Sequence, residues 1–143
     1  MTLELVALLS TGLFAGAALY VTLVEHPARL ECGPALAIAE FGPSYRRGAV
    51  MQASLAVVGC LAAVAAWTQG SATSVLIAGL LLGSAIPFTL IVILPTNKRL
   101  LDAGLDRHSP EAATLLARWG RLHAVRSAVA GVAFLLLALH RAP

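Results

Sequence analysis

Apolar residues run almost without a charge through four long stretches of this chain, and polar residues are confined to the connections between them. The stretches cover residues 3–24, 48–67, 72–94 and 122–139. Each approaches the ~20 residues that an α-helix needs to cross the hydrocarbon layer of a bilayer. The pattern therefore predicts an all-α protein, a four-transmembrane-helix bundle forming a single domain over residues 1–143. Breakers set the expected boundaries. The first helix runs into Glu25-His26 and stops or kinks around Pro27. Gly33-Pro34 and Gly42-Pro43 frame a short interfacial helix over 35–41. The short, uncharged Thr68-Gln69-Gly70-Ser71 makes spans two and three antiparallel neighbours. Pro87 kinks the third span and Pro95 ends it, while Ser109-Pro110-Glu111 starts a helix that continues through Trp119 into the fourth. The first apolar run has no basic segment before it and exceeds the ~7–15 residues of a signal-peptide core, so it reads as a span.

Composition agrees with this reading. Of the 143 residues 59% are hydrophobic and only 12% charged, about half the usual share of a soluble domain. The net charge of +3 matters through its placement. Arg29, Arg46, Arg47, Lys98, Arg99, Arg107, Arg118 and Arg121 fall in or beside the first and third connections, and Arg141 lies on the opposite side. An integral protein of the cell inner membrane is expected, with both basic loops cytoplasmic and both termini outside. Basic residues that flank spans, with no stripe of interleaved aromatics, argue against nucleic acid as a partner. Cys32 in a loop and Cys60 inside a span suggest neither a disulfide nor a thiolate metal site.

The chain also reads as two weakly duplicated two-helix halves. VEHPARL at 24–30 resembles LPTNKRL at 94–100, and Tyr45-x-Arg47 resembles Trp119-x-Arg121. Parallel halves related by an axis along the membrane normal bring these corners together. One polar layer at the cytoplasmic end results, made of Glu25, His26, Tyr45, Arg46, Asn97, Trp119, His123 and Arg126. Trp119, His123 and Arg126, at i, i+4 and i+7, share one helix face. Singly, these residues are ordinary anchors and caps: Tyr45 and Trp119 belt aromatics, Arg46 a positive flank, Asn97 a cap, Glu25 a partner for Arg29 at i+4. Together, an imidazole and a guanidinium at the start of an apolar span need partners or a task.

The groups define the chemistry open to such a pocket. A histidine near neutrality takes a proton from a weak carbon or oxygen acid. Arginine and asparagine in a dry site stabilise an oxyanion as it forms. Tryptophan and tyrosine supply flat walls. His26, His123 and Glu25 are alternatively ligands for copper or iron, although no HxxxH or HxxH pair lies on one helix. His108 and His140 read as solvated.

These residues carry a resemblance that spans essentially the whole chain. The glycine-containing first span (Gly12, Gly16) leading to Glu25-His26-Pro27, the Phe41-x-Pro43-x-Tyr45 turn, the Pro95-Thr96-Asn97 corner and Trp119-x3-His123-x2-Arg126 resemble the anthrone oxygenase-like family of small four-helix membrane proteins. The resemblance implies a monooxygenase that converts anthrones of aromatic polyketide pathways to quinones with O2, without flavin or haem. In that scheme His123 or His26 removes the ring-carbon proton, Arg126 and Asn97 stabilise the phenolate or peroxide, and Trp119 and Tyr45, with Glu25 and Arg46, hold the ring. The expected partners are a lipophilic aromatic molecule, O2 and the lipid bilayer, with pairing of two copies through the Gly12/Gly16 face open to so small a bundle. Three rival readings stand beside it: a copper- or iron-dependent membrane oxidoreductase, a binding or transport protein for a lipophilic ligand, and an assembly protein whose polar layer serves helix packing alone.

Overall fold

The computed structural model describes residues 2–140; Arg141 and its side of the charge asymmetry lie outside the described residues. Four continuous helical rods form the protein, Leu3–Glu31, Pro34–Thr68, Thr73–Leu100 and Pro110–His140, and each is long and apolar enough to cross a membrane. Rod one consists of α1 (Leu3–Tyr20), a π-helical turn (Val21–Glu25) and α2 (His26–Glu31). Rod two is a single helix, α3 (Pro34–Thr68). Rod three joins α4 (Thr73–Gly83), α5 (Ala85–Phe88), a second π turn (Thr89–Ile93) and α6 (Leu94–Leu100), and rod four is α7 (Pro110–His140). Rods one and three each pack on rods two and four, so the chain runs around a four-helix bundle in sequence order. Large apolar side chains point outward from every rod, among them Leu13, Leu61, Ile91 and Leu139. A bundle in water would carry polar residues there, so this surface is made for lipid, and the chain is an integral membrane protein.

Pro27, Pro43 and Pro95 behave differently from their sequence expectation. Neither Pro27 nor Pro95 ends a helix; rod one continues to Glu31 and rod three to Leu100. Each of these prolines sits two residues beyond a π turn. A proline ring collides with the carbonyl four residues earlier, which is that of Leu23 or Ile91, inside the turn. The wider π turn carries that carbonyl clear, and the rod continues. Pro87 differs from these two and follows its expectation: its i−4 residue is Gly83, and the regular helix is interrupted at Ser84, between α4 and α5, with no π turn. Gly42-Pro43 does not break rod two either, and the separate interfacial helix expected over 35–41 is the first part of α3. The carbonyl that Pro43 leaves without its helical donor belongs to Ala39, which is exposed, while Ala37, Ile38 and Phe41 anchor the other face in the core. The lost bond therefore falls where water or headgroups satisfy it.

Two cores fill the bundle. At the hairpin end, alanines of all four rods surround Phe14, Leu82 and Leu137. At the opposite end Ile38, Phe41, Ile93, Leu100, Leu116 and Trp119 form a bulkier cluster. The small-residue core brings the rods close. A Cβ on Gly79 would overlap that of Ala63, and a Cβ on Gly12 would lie 3.0 Å from the Phe134 ring. Gly12 thus serves packing inside the bundle, whereas Gly16 is exposed with nothing within 4 Å. The hairpin turns through Gly70 at φ 99°, a conformation that favours glycine. The loop at 101–109 is tied down by Arg99, which bonds Asp102 at 2.6 Å and grips Glu111 at 2.7 and 3.0 Å. The Gly104 N–H and then Arg99 hold the Asp102 carboxyl below its ordinary value. Their contribution to the loop is present above the usual carboxylate range and is lost as pH falls through the lowered value. Ser109 accepts the Ala112 N–H at 3.2 Å and starts α7, as the sequence predicts. At the hairpin end, Glu4 accepts a bond from Ser71 at 2.6 Å and lies 3.5 Å from His140, which is therefore engaged across the bundle end and not simply solvated.

Replacing Gly79 with leucine overfills the contact with Ala63 and is expected to destabilise the bundle by about 1–3 kcal/mol. Gly16→Leu, with open space around it, is expected to leave stability nearly unchanged. Thermal unfolding of the two variants in one detergent checks the contrast.

Candidate active site

The polar layer is built on the face of α7 that carries Trp119, His123 and Arg126, joined by Ser127 one turn beyond His123. His123 is buried, and its Nδ1 lies 2.9 Å from the Thr22 hydroxyl and 3.3 Å from that of Ser127. Thr22 and Ser127 are 2.8 Å apart, and Ser127 also reaches the carbonyls of Ala18 at 3.1 Å and His123 at 3.0 Å. Thr22 stands in the first π turn, which turns it toward α7, whereas Tyr20, just before that turn, is exposed. With Nδ1 so engaged, Nε2 is the ring nitrogen without a hydrogen-bond partner among the described residues.

Arg126, one turn further along, donates to Gln52 Oε1 at 2.7 Å and to the Thr89 hydroxyl at 3.3 Å. Its Nε has no partner, and its guanidinium lies 5.8 Å from the Phe14 ring centroid. Among the described residues no carboxylate forms an ion pair with it. Thr89 belongs to the second π turn. Each π turn therefore presents a threonine to α7, the first to His123 and the second to Arg126.

Nearer the loops the layer changes character. Trp119 packs between two imidazoles, with ring centroids 5.0 Å from His26 and 4.7 Å from His123. Phe41 meets Trp119 edge-on at 5.3 Å and stacks on Tyr45 at 5.6 Å. The Arg29 guanidinium lies 5.8 Å from the Trp119 ring centroid. Arg29 is buried and its charge is matched: it pairs with Glu25, pairs with Glu40 at 2.9 Å and bonds Ser44 at 3.3 Å, while Ser44 donates to Glu25 at 3.1 Å.

A cavity of about 210 Å³ opens between these groups. It exceeds the ~150 Å³ apolar cavity known to take a benzene ring. Of the sequence-predicted residues, Tyr45, Asn97, Trp119, His123 and Arg126 line it. Asn97 is 1% exposed, and both polar atoms of its amide are without a partner. A buried donor and acceptor side by side in the wall of a cavity are costly as long as nothing meets them.

Three predicted residues do not line the cavity. Glu25 is taken up by Arg29 and Ser44. His26 is buried behind Trp119, its Nε2 against the α7 backbone, where a Cβ on Gly120 would come within 2.5 Å of it. Arg46 is exposed, because α3 remains helical through Pro43 and its phase sends Tyr45 inward and Arg46 and Arg47 outward. The alternative ligand set of His26, His123 and Glu25 does not assemble: among the described residues no three His, Cys, Asp or Glu side chains come together. Cys32 and Cys60 are both free thiols. Gln52, Thr89 and Ser127 are not among the predicted residues, and Arg29, expected as a flank and as the i+4 partner of Glu25, makes that pair and also lines the cavity. Gln52 and Ser127 had a signal, as a lone amide in an apolar span and as a hydroxyl at i+4 from His123. Thr89 had none, since a threonine in a span ordinarily bonds its own helix, as Thr89 also does to Ala85 at 2.7 Å.

Comparison with known proteins gives the same direction. The family model described as anthrone oxygenase matches residues 41–136, a segment that includes Tyr45, Gln52, Thr89, Asn97, Trp119, His123 and Arg126. The chain is also similar to anthrone oxygenase tpcL of Aspergillus fumigatus, at 31% identity over 131 residues that make up 85% of this chain and 81% of the relative. No solved structure gives a significant match. With this segment carrying the whole of the α7 polar face and its partners on rods two and three, the chain belongs to the anthrone oxygenase family.

Proposed function

We propose that the protein is a membrane oxygenase that oxidises a flat phenolic substrate such as an anthrone to the quinone, with His123 as the base. The observation that carries this reading is the pairing on α7 of an imidazole tethered through Nδ1 with a guanidinium whose hydrogen-bond partners among the described residues are neutral. In the proposed arrangement Nδ1–H donates to Thr22, Thr22 to Ser127, and Ser127 to a backbone carbonyl. Every hydroxyl proton is then used, and the Nε2 lone pair faces the cavity. The substrate ring lies against Trp119 and Tyr45, with its oxygen toward Arg126 and Asn97.

Nε2 removes a proton from the doubly benzylic ring carbon, and the negative charge spreads to the ring oxygen beside Arg126. The resulting carbanion transfers one electron to O2, and recombination forms a carbon–oxygen bond and a hydroperoxide. Loss of water from the hydroperoxide leaves the new carbonyl. One oxygen atom of O2 enters the quinone, and the other leaves as water with the two hydrogens of the original CH2 group. The substrate carbanion supplies the electrons, so the scheme calls for no flavin, haem, copper or iron. The same charge distribution favours both basic connections on the cytoplasmic side, with the cavity in the adjacent leaflet.

Oxygen uptake with anthrone by the purified protein tests the reading. His123→Ala is expected to lower kcat by about 100-fold or more, the usual range for a general base. His26→Phe, which keeps a ring against Trp119, is expected to leave kcat within about threefold, since His26 does not reach the cavity. Full turnover in His123→Ala would remove the assignment. For Arg126, the neutral Gln variant is expected to lose about 100-fold in kcat and the Lys variant clearly less, the difference measuring the charge. Equal rates in the two variants would assign Arg126 to packing.

A further inference from the structure

The cavity has walls of unequal strength. Toward the loops it is closed by the Arg29 cluster with Glu25, Glu40 and Ser44, and by Phe41 against Trp119. Toward the hairpin it ends on Phe14 and Ala56, which belong to the alanine-rich core. Its remaining wall is the seam between rods two and three. There Gly48, Ala49 and Ala53 of α3 face Ile86 and Leu90 of rod three. Ala53 and Leu90 line the cavity and are also exposed on the outer surface, Leu90 at 58%. The wall there is no more than one side chain thick, and a Cβ added at Gly48 would meet nothing within 4 Å, so the seam has open space at that level. Small side chains create that opening: at the seam itself α3 presents Gly48, Ala49 and Ala53, and nothing longer than a methyl group extends from these positions.

We infer that this seam is a lateral portal through which a lipophilic aromatic molecule passes between the bilayer and the cavity. Depth supports the lipid side. At about 1.5 Å per residue, Ala53 lies about 22 Å along α3 from Thr68, and Leu90 about 26 Å along rod three from Thr73. Both positions fall within the ~30 Å hydrocarbon layer, toward its loop-side boundary. Arg46 and Arg47, exposed just beyond Gly48, mark the headgroup level above the opening. The rim is apolar, whereas the interior offers the unpartnered amide of Asn97 and the guanidinium of Arg126. A flat apolar molecule with one polar edge fits both: it is held in this layer of the bilayer and turns its polar edge inward on passing the rim. The inference concerns access, so it does not depend on the oxygenase chemistry.

Accessibility of Trp119 to quenchers tests it without turnover. Trp67→Phe leaves Trp119 as the sole tryptophan, in full-length protein held in lipid nanodiscs. Bromocyclohexane dissolved in the bilayer is expected to quench Trp119 fluorescence, and iodide in the water is expected to leave it nearly unquenched. Ala53→Phe combined with Leu90→Phe fills the seam and is expected to lower the bromocyclohexane quenching constant by about threefold or more, because close-packed side chains exclude the probe. Leu90→Ala, which removes bulk and adds no strain, is expected to raise it. Quenching by iodide as strong as by bromocyclohexane would place the opening on the water side and overturn the portal. A quenching constant unchanged in both the filled and the widened variants would overturn it as well. Loss of oxygen uptake with quenching intact would count against the oxygenase reading alone.

Discussion

A guanidinium and an imidazole one turn apart on a membrane-crossing helix have to be solvated by protein, and the rest of this bundle is arranged to do so. Each of the other three rods delivers one neutral hydrogen-bonding side chain to that point. Rod one brings Thr22 to His123, rod two brings Gln52 to Arg126, and rod three brings Thr89 to Arg126. Because hydrogen bonds constrain distance and direction, these contacts set the register of all four rods at one level. None of the three partners carries charge. With no carboxylate paired to it among the described residues, the guanidinium is hydrogen-bonded but not neutralised, a state suited to stabilising an anion nearby.

The same device appears in rods one and three. A proline two residues past a π turn leaves the helix intact and offsets its phase by part of a turn. That offset carries Thr22 and Thr89 toward α7 while the outer faces of both rods stay apolar. The two weakly similar corners read in the sequence around Pro27 and Pro95 thus correspond to one structural solution. Their functional content differs. The Pro27 corner supports Arg29, which is neutralised by Glu25 and Glu40 and serves to close the cavity. The Pro95 corner supports Asn97, a residue of the cavity wall whose amide is buried with no hydrogen-bond partner among the described residues.

Much of this was legible in the residues. Apolar runs of spanning length, an uncharged hairpin and a Ser-Pro helix start are local properties, and all appear where expected. The shared face of Trp119, His123 and Arg126 follows from helical spacing alone. The outward Arg46 and the absence of a separate helix over 35–41 among the described residues, both contrary to expectation, have one cause. Gly42-Pro43 is a strong local breaker, but Phe41 and Ile38 are anchored in the core and the lost backbone bond lies on the exposed side. Packing on one face of a helix outweighs a defect on the other, and once α3 continues through Pro43 the phase of Arg46 is settled outward. His26 shows a second limit: sequence put it in the right layer, but only the close approach permitted by Gly120 sets it behind Trp119 and away from the cavity.

By itself, the sequence determined that the chain is a four-helix membrane bundle with a polar layer at one end, because hydropathy, helix spacing and charge placement depend on residue order alone. The tertiary structure decided which members of that layer share a cavity, which are neutralised and which face remains open. Those outcomes turn on phases set by two π turns, on close approaches at glycines and on side chains from four rods meeting at one depth. They are properties of distances between segments far apart in the chain, and no local pattern encodes them.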